Sequence, residues 1–391
     1  MEKIRHSVCQ LFVKTLGICH IAELRSFVVK RCSLVLFVSV CSFISLSAHA
    51  QSNRFVYPGE TWERADPLTF GWSIQKLDDA RRYLQTVPSG SVIVVDRGRI
   101  IAEWGDSTKR VKLSSVRKSF LSALYGIYIP EGRLDMTKTL AQLGIDDDPP
   151  LTAEERQATV RMLLQARSGV YHAFVGGTQS MRDDMPVPGS HQPGTFWFYN
   201  NWDFNALGTI FEQQFKTSIG LAFRDRIARP VQMQDFRLED FYYVRGGKEK
   251  GSMKLSIHPA YQFRMSARDM ARFGYLFLRQ GHWKGKEVIP SDWVRESTTS
   301  YSDVGNGAGY GYLWWVNFWP GVSVKNYSAR GALGKNIVVI PDRDLVVVYV
   351  NHTEYPDDVS AISEAELKKL PNMTSTQMGQ LLQLILEAKA P

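Results

Sequence analysis

The sequence predicts an α+β domain in which strands from both ends of the chain form one antiparallel sheet, with a mainly helical region inserted between them. Two strand-like runs lie in "SVIVVDRGRIIAEWG" (residues 91–105), and two more lie in "NIVVIPDRDLVVVYVN" (336–351). The segment between them has mainly helical periodicity with polar loops. Strands that are distant in sequence and separated by helices predict a single sheet supplied by both parts.

The first 50 residues have the pattern of a secretory signal peptide. An apolar run, "CSLVLFVSVCSFISL" (32–46), follows two basic residues and precedes "AHA" (48–50), a small-residue cleavage pattern. The run is too short to span a bilayer comfortably. We therefore expect cleavage after residue 50, no stable membrane span afterwards, and a periplasmic or secreted protein. The stretch before the run is long for such a peptide, which suggests an over-extended start.

Cysteine content and charge exclude several classes of function. All four cysteines lie within residues 1–50, so the mature chain has no thiol for a disulfide, a nucleophile or a metal site. Residues 1–50 carry six Lys or Arg and two Asp or Glu, which lowers the net charge from +8 to +4 for the rest. So small a charge argues against a nucleic-acid partner. The remaining histidines form no metal-like pair, and we expect no metal and no other cofactor.

The mature chain, residues 51–391, has no internal repeat and no long linker, which favours a single domain. We expect the sheet part to comprise about 73–119 and 290–391, and the helical part about 120–290. The functional site is expected where these two parts meet.

The individual elements follow from local patterns. Ser73 is a predicted N-cap for an amphipathic helix, and Asp96-Arg97-Gly98-Arg99 is a predicted hairpin turn. The other expected elements are an apolar helix within 112–129, a strand over "GYGYLWWVN" (309–317) and a closing helix over 375–390.

The first candidate for chemistry is the pair Ser115 and Lys118 at the start of "KLSSVRKSFLSALYGIYI" (112–129). Positions three apart share one face of a helix, so the hydroxyl and the amine are within hydrogen-bonding reach. A serine becomes nucleophilic when a base accepts its proton, and a lysine is a base only when it is neutral. Burial in an apolar helix lowers the pKa of a lysine, so the helix itself would prepare the base.

The same spacing has an ordinary interpretation as helix capping beside a solvated lysine, and Ser73 and Lys76 share it. That copy lies at the polar start of a surface helix, whereas Ser115 and Lys118 follow a hairpin and enter a core-like helix. The context favours the second copy, but the spacing alone does not decide between catalysis and capping.

A second candidate is the loop "FWFYNN" (196–201), which contains Tyr199 and Asn201. A phenol beside a lysine can share a proton with it as a coupled base, and Asn201 offers an amide to a substrate carbonyl or to Lys118. The alternative is a core tyrosine, as we expect for Tyr349 on a buried strand. A set of aromatic residues either lines an apolar acyl pocket or packs in the core: Phe196, Trp197, Phe198, Trp202, Tyr310, Tyr312, Trp314 and Trp315.

A third candidate is the glycine-rich stretch "SARGALGK" (328–335). A glycine-rich edge strand allows a substrate to pair with the backbone. The main-chain N–H of Ala332 is then a candidate partner for that of Ser115 in an oxyanion hole. A plain glycine bulge would have the same sequence.

The order of these three pieces resembles that of the serine hydrolases related to class C β-lactamases and penicillin-binding proteins. This group includes β-lactamase-like esterases and 6-aminohexanoate-dimer hydrolases. The resemblance extends from about Ser73 to the C-terminus and includes "MSARDMARFGYLFLRQG" and "GKNIVVIPDRDLVVVYVN". It implies an α/β sandwich of the β-lactamase/transpeptidase type. It also implies that Ser115 is the nucleophile, Lys118 its partner, Tyr199 the general base and acid, and Asn201 a substrate-facing amide.

The resemblance fails at the third motif, where the family usually has a lysine or histidine, a hydroxyl residue and a glycine. Here the motif reads Ala329-Arg330-Gly331. A lysine there would bind a substrate carboxylate, and Ala329 cannot. Arg330 carries a charge, but adjacent strand residues face opposite sides of a sheet. This departure favours an esterase or linear amidase.

We therefore expect an exported serine hydrolase that cleaves a small-molecule ester, amide or lactam through an acyl-enzyme on Ser115. Asn201, Arg330, Gly331 and Ala332 are its expected substrate contacts. A β-lactamase or D-Ala-D-Ala carboxypeptidase is the first alternative, and a non-catalytic binding protein on the same fold is the second. The natural substrate and the oligomeric state stay open.

Overall fold

Strands from both ends of the chain are the framework of the fold. The computed structural model describes residues 56–245, 255–354, 356–357 and 363–389, so the expected signal peptide lies outside the described residues. The strands are β1 (Gly90–Asp96), β2 (Arg99–Trp104), β3 (Val111–Lys112), β4 (Phe241–Val244), β5 (Ala260–Met265), β6 (His282–Trp283), β7 (Lys286–Glu287), β8 (Ser302–Gly305), β9 (Ala308–Tyr310), β10 (Trp315–Val316), β11 (Tyr327–Gly331), β12 (Lys335–Ile340) and β13 (Leu345–Asn351).

The main sheet is antiparallel and has the order β2-β1-β13-β12-β11-β10-β9-β8. The pairing of β1 with β13 joins the two distant parts of the chain, with Gly90 opposite Asn351 and Asp96 opposite Leu345. Both predicted hairpins, β1–β2 and β12–β13, are present. The prediction that distant parts of the chain supply one sheet is confirmed.

Helices cover both faces of this sheet. They are α1 (Ile74–Tyr83), α2 (Arg117–Tyr128), α3 (Leu140–Leu143), α4 (Val160–Leu164), α5 (Gln179–Asp183), α6 (Asn201–Phe215), α7 (Ile219–Phe223), α8 (Ala267–Leu278), α9 (Ser291–Ser297), α10 (Glu364–Lys369) and α11 (Ser375–Ala388). A 3₁₀ turn over Ser114–Val116 leads directly into α2. Within the described ranges, no helix has the length and apolarity needed to cross a membrane.

The alternation of side chains along the strands separates two hydrophobic layers. Val338 and Val347 face a layer that also contains α1 and α11, which pack against each other. Ile337 and Val346 face the opposite layer, which contains α8 and continues into the helical region around α2. Because both faces are covered, every residue of β12 and β13 is buried.

The predicted helical region also contains strands. β5 pairs with β4 on one side and with β3 on the other in a small antiparallel sheet, and β6 pairs with β7. Moreover, α8 packs on β1, β12 and β13 of the main sheet as well as against Phe120 of α2. The hydrophobic periodicity of the sequence predicted the amphipathic helices, but it does not predict which of the two hydrophobic layers a helix packs in.

The prediction that the glycine-rich strand lies at an edge of the sheet is wrong for the first two of the five residues of β11. β11 lies between β12 and β10, and its residues Tyr327 and Ser328 pair with Val316 and Trp315. β10 is only two residues long, so Ala329–Gly331 pair with β12 but not with β10. The open edge is therefore confined to the last three residues of β11.

Candidate active site

The candidate nucleophile lies in a strained turn at the start of a buried helix. Ser114 has a φ of 53°, in the left-handed region that non-glycine residues rarely adopt. This conformation turns the chain from β3 into the 3₁₀ turn, where Ser115 stays partly exposed while its neighbours are buried. N–H groups in the first turn of a helix have no carbonyl partner within it. Both the hydroxyl and the N–H of Ser115 therefore lie at the start of the helix.

Lys118 is held against Ser115 in an apolar environment. Its Nζ donates a hydrogen bond of 2.6 Å to Ser115 Oγ, and the residue is only 2% exposed. The amine lies 4.9 Å from the ring centre of Tyr199 and 4.8 Å from that of Phe204. Burial, with a smaller contribution from the charge of Arg117, lowers the pKa of Lys118 well below its usual range. The structure thus favours the neutral amine that a base requires.

Arg117 is a second buried cation beside Lys118, and nothing in the sequence pattern indicated it. Its guanidinium lies 4.2 Å from the ring centre of Tyr261, and Nη2 donates to Asn205 Oδ1 at 3.2 Å. Nη1 is buried and has no hydrogen-bond partner among the described residues. A buried cation paired with neutral groups repels a second positive charge nearby, so Arg117 disfavours protonation of Lys118.

The loop that carries Tyr199 is anchored by a buried polar network. Asn200 caps α6 by accepting from the N–H of Trp202, and its Nδ2 donates to Val170 O at 2.5 Å and to Asp203 Oδ1 at 2.9 Å. Asp203 also accepts a hydrogen bond of 2.5 Å from Ser168. Burial raises the pKa of Asp203 well above its usual range, although these hydrogen bonds act in the opposite direction. A cap before an apolar helix is the signal that could have identified this anchor.

Tyr199 itself is half-buried between aromatic rings. Its ring centre is 4.9 Å from that of Phe204, 5.3 Å from that of Trp315 and 6.1 Å from that of Tyr310. Together with its distance from Lys118 Nζ, these contacts fix the ring beside the Ser115–Lys118 pair. The structure thus brings the first two sequence candidates together.

Asn201 begins α6 on the same face as Phe204 and Asn205. Its Nδ2 contacts Met181 Sδ at 3.7 Å. Its Oδ1 is buried and lacks a hydrogen-bond partner in the part of the chain that the structure describes. A buried acceptor without a donor is costly unless a ligand supplies one, which suits a residue that contacts the substrate.

The end of β11 lies against the turn that carries Ser115. A Cβ on Gly331 would lie 2.3 Å from Leu113 O and 3.3 Å from Val116 Cγ2, so only glycine fits there. The next residue, Ala332, is exposed in the turn between β11 and β12. The structure therefore places Gly331 beside the turn that carries Ser115, and the oxyanion role of the Ala332 N–H stays a prediction.

Arg330 does not share this location. Because it alternates with Gly331, its side chain lies on the opposite face of the sheet, with its guanidinium stacked 3.3 Å from the ring centre of Phe318. Its Nη2 donates to Ser375 Oγ at 3.2 Å, at the start of α11. Arg330 therefore does not replace a third-motif lysine beside Ser115. Ala329 is fully buried in the sheet.

Two residues have the structural roles that the sequence analysis gave as alternatives to catalysis: Ser73 is a helix cap, and Tyr349 is a core tyrosine. Ser73 caps α1 by accepting from the N–H of Lys76. Tyr349 is buried, and its hydroxyl donates to Pro88 O at 2.7 Å. Half of the aromatic set is core: Trp202, Tyr310, Tyr312 and Trp314. Trp197 and Trp315 instead contact each other and Tyr310 beside the site.

Across the described residues, no group of three or more histidine, cysteine, aspartate or glutamate side chains could hold a metal ion. His172 instead pairs with Glu155 at 3.2 Å, which raises the pKa of the imidazole.

Comparison with known proteins identifies the family of this chain. The family model described as Beta-lactamase matches residues 75–369. The chain belongs to the beta-lactamase family. As a member of that family it is a serine hydrolase. The resemblance to β-lactamase-related serine hydrolases that the sequence motifs indicated is therefore confirmed.

Solved structures support the same fold at low sequence identity. The chain is similar to a "Putative 6-aminohexanoate-dimer hydrolase from Bacillus anthracis", with 18% identity, 85% of this chain and 89% of that chain covered, and a TM-score of 0.57. It is also similar to a penicillin-binding protein homologue from Caulobacter crescentus, with 16% identity, 75% and 98% covered, and a TM-score of 0.53. These similarities confirm the predicted α+β fold class.

Proposed function

We propose that this beta-lactamase family member is an exported hydrolase that cleaves small-molecule esters or linear amides through an acyl-enzyme on Ser115. The 2.6 Å hydrogen bond between Lys118 Nζ and Ser115 Oγ is the observation that carries the proposal. A buried, neutral amine at that distance is positioned to accept the serine proton at moderate pH.

The mechanism has two acyl-transfer steps. Ser115 Oγ attacks the substrate carbonyl carbon while its proton passes to the coupled Lys118–Tyr199 pair. The N–H groups of Ser115 and Ala332 stabilise the oxyanion. Tyr199 then protonates the leaving group as the carbonyl–leaving-group bond breaks. In the second step, the same pair takes a proton from water, which attacks the acyl carbon. The bond to Ser115 Oγ then breaks, and the pair returns a proton to Oγ.

The preference for esters and linear amides rests on the third motif. Ala329 is buried and uncharged, and Arg330 lies on the other face of β11. A carboxylate fixed beside a strained lactam ring would therefore lack the usual cation next to Ser115. A linear ester or amide without a carboxylate beside the scissile bond does not need a cation next to Ser115.

The test compares Ser115→Ala with Ser73→Ala, using 4-nitrophenyl acetate and intact-mass spectrometry. Ser115→Ala should lose at least about 10³-fold in kcat/KM and show no acyl adduct, whereas Ser73→Ala should keep both. Turnover by Ser115→Ala would contradict the assignment. Nitrocefin hydrolysis as efficient as ester hydrolysis would instead favour a β-lactamase. Failure of the wild type to acylate with a fluorophosphonate would favour a binding protein.

A further inference from the structure

Asp203 is a fully buried carboxyl group in the first turn of α6, four residues after Tyr199. Its Oδ1 accepts a hydrogen bond of 2.5 Å from Ser168 Oγ and one of 2.9 Å from Asn200 Nδ2. Ser168 belongs to the loop over residues 166–170, which we call the supporting loop, whereas Asn200 follows Tyr199 directly. One buried oxygen therefore joins the Tyr199 segment to the supporting loop.

Backbone groups on both sides of Tyr199 are bonded to the same loop. Before the tyrosine, the N–H of Phe198 donates to Ala166 O at 3.0 Å. After it, Asn200 Nδ2 donates to Val170 O at 2.5 Å as well as to the carboxyl group of α6. The backbone of Tyr199 is thus bracketed by these bonds, and it moves relative to the loop only when they break.

The supporting loop is fixed by its own packing. Ala166 has a φ of 55°, which a non-glycine residue rarely adopts, and Gly169 has a φ of 73°. A Cβ on Gly169 would lie 2.7 Å from His191 O, so the backbone of a neighbouring segment packs directly against it. Such strained backbone persists only where the surrounding contacts determine it fully. The loop is therefore a firm support for the segment tied to it.

The surroundings of Asp203 favour an uncharged carboxyl group. Its Oδ2 is buried and has no hydrogen-bond partner among the residues that the structure describes. Hydrogen-bond donors stabilise its charged form, with no lysine, arginine or histidine of the described chain among them, and burial raises its pKa well above the usual range. The titratable groups that face it in the described ranges are the phenols of Tyr171, next to the supporting loop, and of Tyr310 on β9. A buried carboxylate without a cation is costly, so the proton stays on.

We propose that Asp203 is a positioning residue for Tyr199: as an uncharged carboxyl group, it holds the segment that places the phenol beside Lys118. The proposal rests on the proposed function, which assigns proton transfer to Tyr199. Because Asp203 is fully buried, it acts through the position of the phenol rather than by touching the substrate. Misplacing a catalytic group by about 1 Å costs on the order of 10²-fold in rate.

The experiment is a double-mutant cycle between residues 203 and 199, with kcat and KM measured separately on 4-nitrophenyl acetate. Asp203→Ala should lower kcat about 30-fold with little change in KM, because the misplaced phenol affects the chemical steps. In the Tyr199→Phe background, the same substitution should cost less than about threefold, because no hydroxyl is left to position. Equal losses in both backgrounds would mean that Asp203 supports the fold in general, which would overturn the proposal.

Asp203→Asn tests the uncharged form. Asparagine keeps an acceptor oxygen for Ser168 and Asn200 and carries no charge. Its kcat should therefore stay within about threefold of the wild-type value, and the acidic limb of the pH–rate profile should not move. A loss as large as that of Asp203→Ala, or a displaced limb, would show that the charge is needed and would overturn the proposal.

Ser168→Ala replaces Asp203→Ala in the cycle if the latter does not fold. It removes one of the two hydrogen bonds to Asp203 Oδ1 and should lower kcat about fivefold in the wild-type background. In Tyr199→Phe it should have no effect on kcat. Additive losses would again count against the proposal.

Asp269 provides a matched control. It is also fully buried and is the third residue of α8, as Asp203 is of α6. Its carboxyl oxygens accept from the N–H groups of Gln234 at 2.6 Å and of Asp235 and Phe236 at 2.8 Å. Asp269→Asn should lower the unfolding temperature and leave kcat and KM unchanged. A fall in kcat as large as that of Asp203→Ala would mean that any buried aspartate has this effect, and the specific role would be lost.

Failure of the proposed function gives a different result from failure of the positioning role. If the wild type hydrolyses no ester, or if Tyr199→Phe is fully active, the proposed chemistry fails by itself. Crystal structures of the wild type and Asp203→Ala then decide the positioning role. A shift of the Tyr199 hydroxyl away from Lys118 Nζ by about 1 Å or more supports it, and an unchanged position overturns it.

Discussion

Residues 73–76 and 115–118 place a serine and a lysine at the same spacing, but in opposite surroundings. Ser73 caps α1 by accepting from the backbone N–H of Lys76, and the Lys76 amine is exposed and donates to Glu387 O at 3.1 Å. Ser115 instead accepts from the buried amine of Lys118. The comparison shows that burial, rather than spacing, turns a serine and a lysine into a candidate catalytic pair.

The difference comes from the two helices. α1 lies on the surface, with two of its ten residues buried, and its polar groups remain solvated. Every residue of α2 is buried, including the charged ones at its start. An amine in that position loses its hydration, which favours the neutral form. The predictions below test this contrast.

The largest effect is expected from removing each lysine amine. Lys118→Met should reduce kcat/KM for an activated ester about 10³-fold, since the serine loses its proton acceptor. Lys76→Met should leave kcat/KM unchanged, because the Lys76 amine is exposed and donates to Glu387 O at the end of α11. Equal kcat/KM for both variants would contradict the assignment of Ser115 and Lys118, rather than Ser73 and Lys76, as the catalytic pair.

Removing the phenol should have the next largest effect. Tyr199→Phe retains the ring beside Lys118 but loses the hydroxyl, and we expect kcat/KM to fall about 10²-fold. Tyr349→Phe is the matched control, because its hydroxyl donates to Pro88 O, in the loop before β1. The control should lose about 1 kcal/mol of stability and no activity. Full activity of Tyr199→Phe would show that Lys118 acts without it.

Arg117→Gln should move the acidic limb of the pH–rate profile to higher pH. The charge of Arg117 lowers the pKa of Lys118, so its removal raises that pKa and leaves less neutral amine at a given pH. Activity at neutral pH falls and recovers at alkaline pH. Arg81→Met, which removes an exposed charge on α1, should leave the limb in place. A shift to lower pH would contradict the electrostatic role of Arg117.

Lys118→Met should also stabilise the fold, by an amount that depends on pH. The pKa of Lys118 is lowered in the folded state, so the unfolded chain binds the proton more readily, and wild-type stability rises with pH up to the ordinary lysine pKa. Methionine removes this dependence. Thermal unfolding should therefore show the largest gain, about a few degrees, at acidic pH, and almost none above pH ~10.5. A gain independent of pH would indicate simple repacking.

The smallest effect is expected from removing the helix cap at Ser73. Ser73→Ala removes the acceptor for the N–H of Lys76 and should lower the free energy of unfolding by about 1 kcal/mol, measured by denaturant titration. No loss of stability would mean that water replaces the cap.

Local patterns predicted the pieces of this site well. The helix spacing joined Ser115 to Lys118, and the hairpin pattern found β1, β2, β12 and β13. These features depend on residues that are a few positions apart in the chain, so they can be predicted from the local sequence. The roles assigned to the site residues stay predictions.

What the sequence did not predict depends on contacts between distant segments. Arg117 looks like a solvated residue in its local context, yet Tyr261 and Asn205 enclose it. Arg330 is enclosed by Phe318 and its neighbours in the same way. The edge position expected for the glycine-rich strand was wrong for its first two residues, because the two residues of β10 pair with Tyr327 and Ser328.

The pairing of β1 with β13 has a consequence for the order of events during synthesis. Residues 90–96 emerge from the ribosome about 250 residues before their partners at 345–351, so the framework behind Ser115 closes late. Closing so long a loop slows folding. A nascent chain that lacks β13 would contain the serine, the lysine and the end of β11, but not the pairing with β1 that closes the sheet behind them. Hydrolytic competence should therefore appear abruptly, after translation of the final strand, rather than growing with chain length.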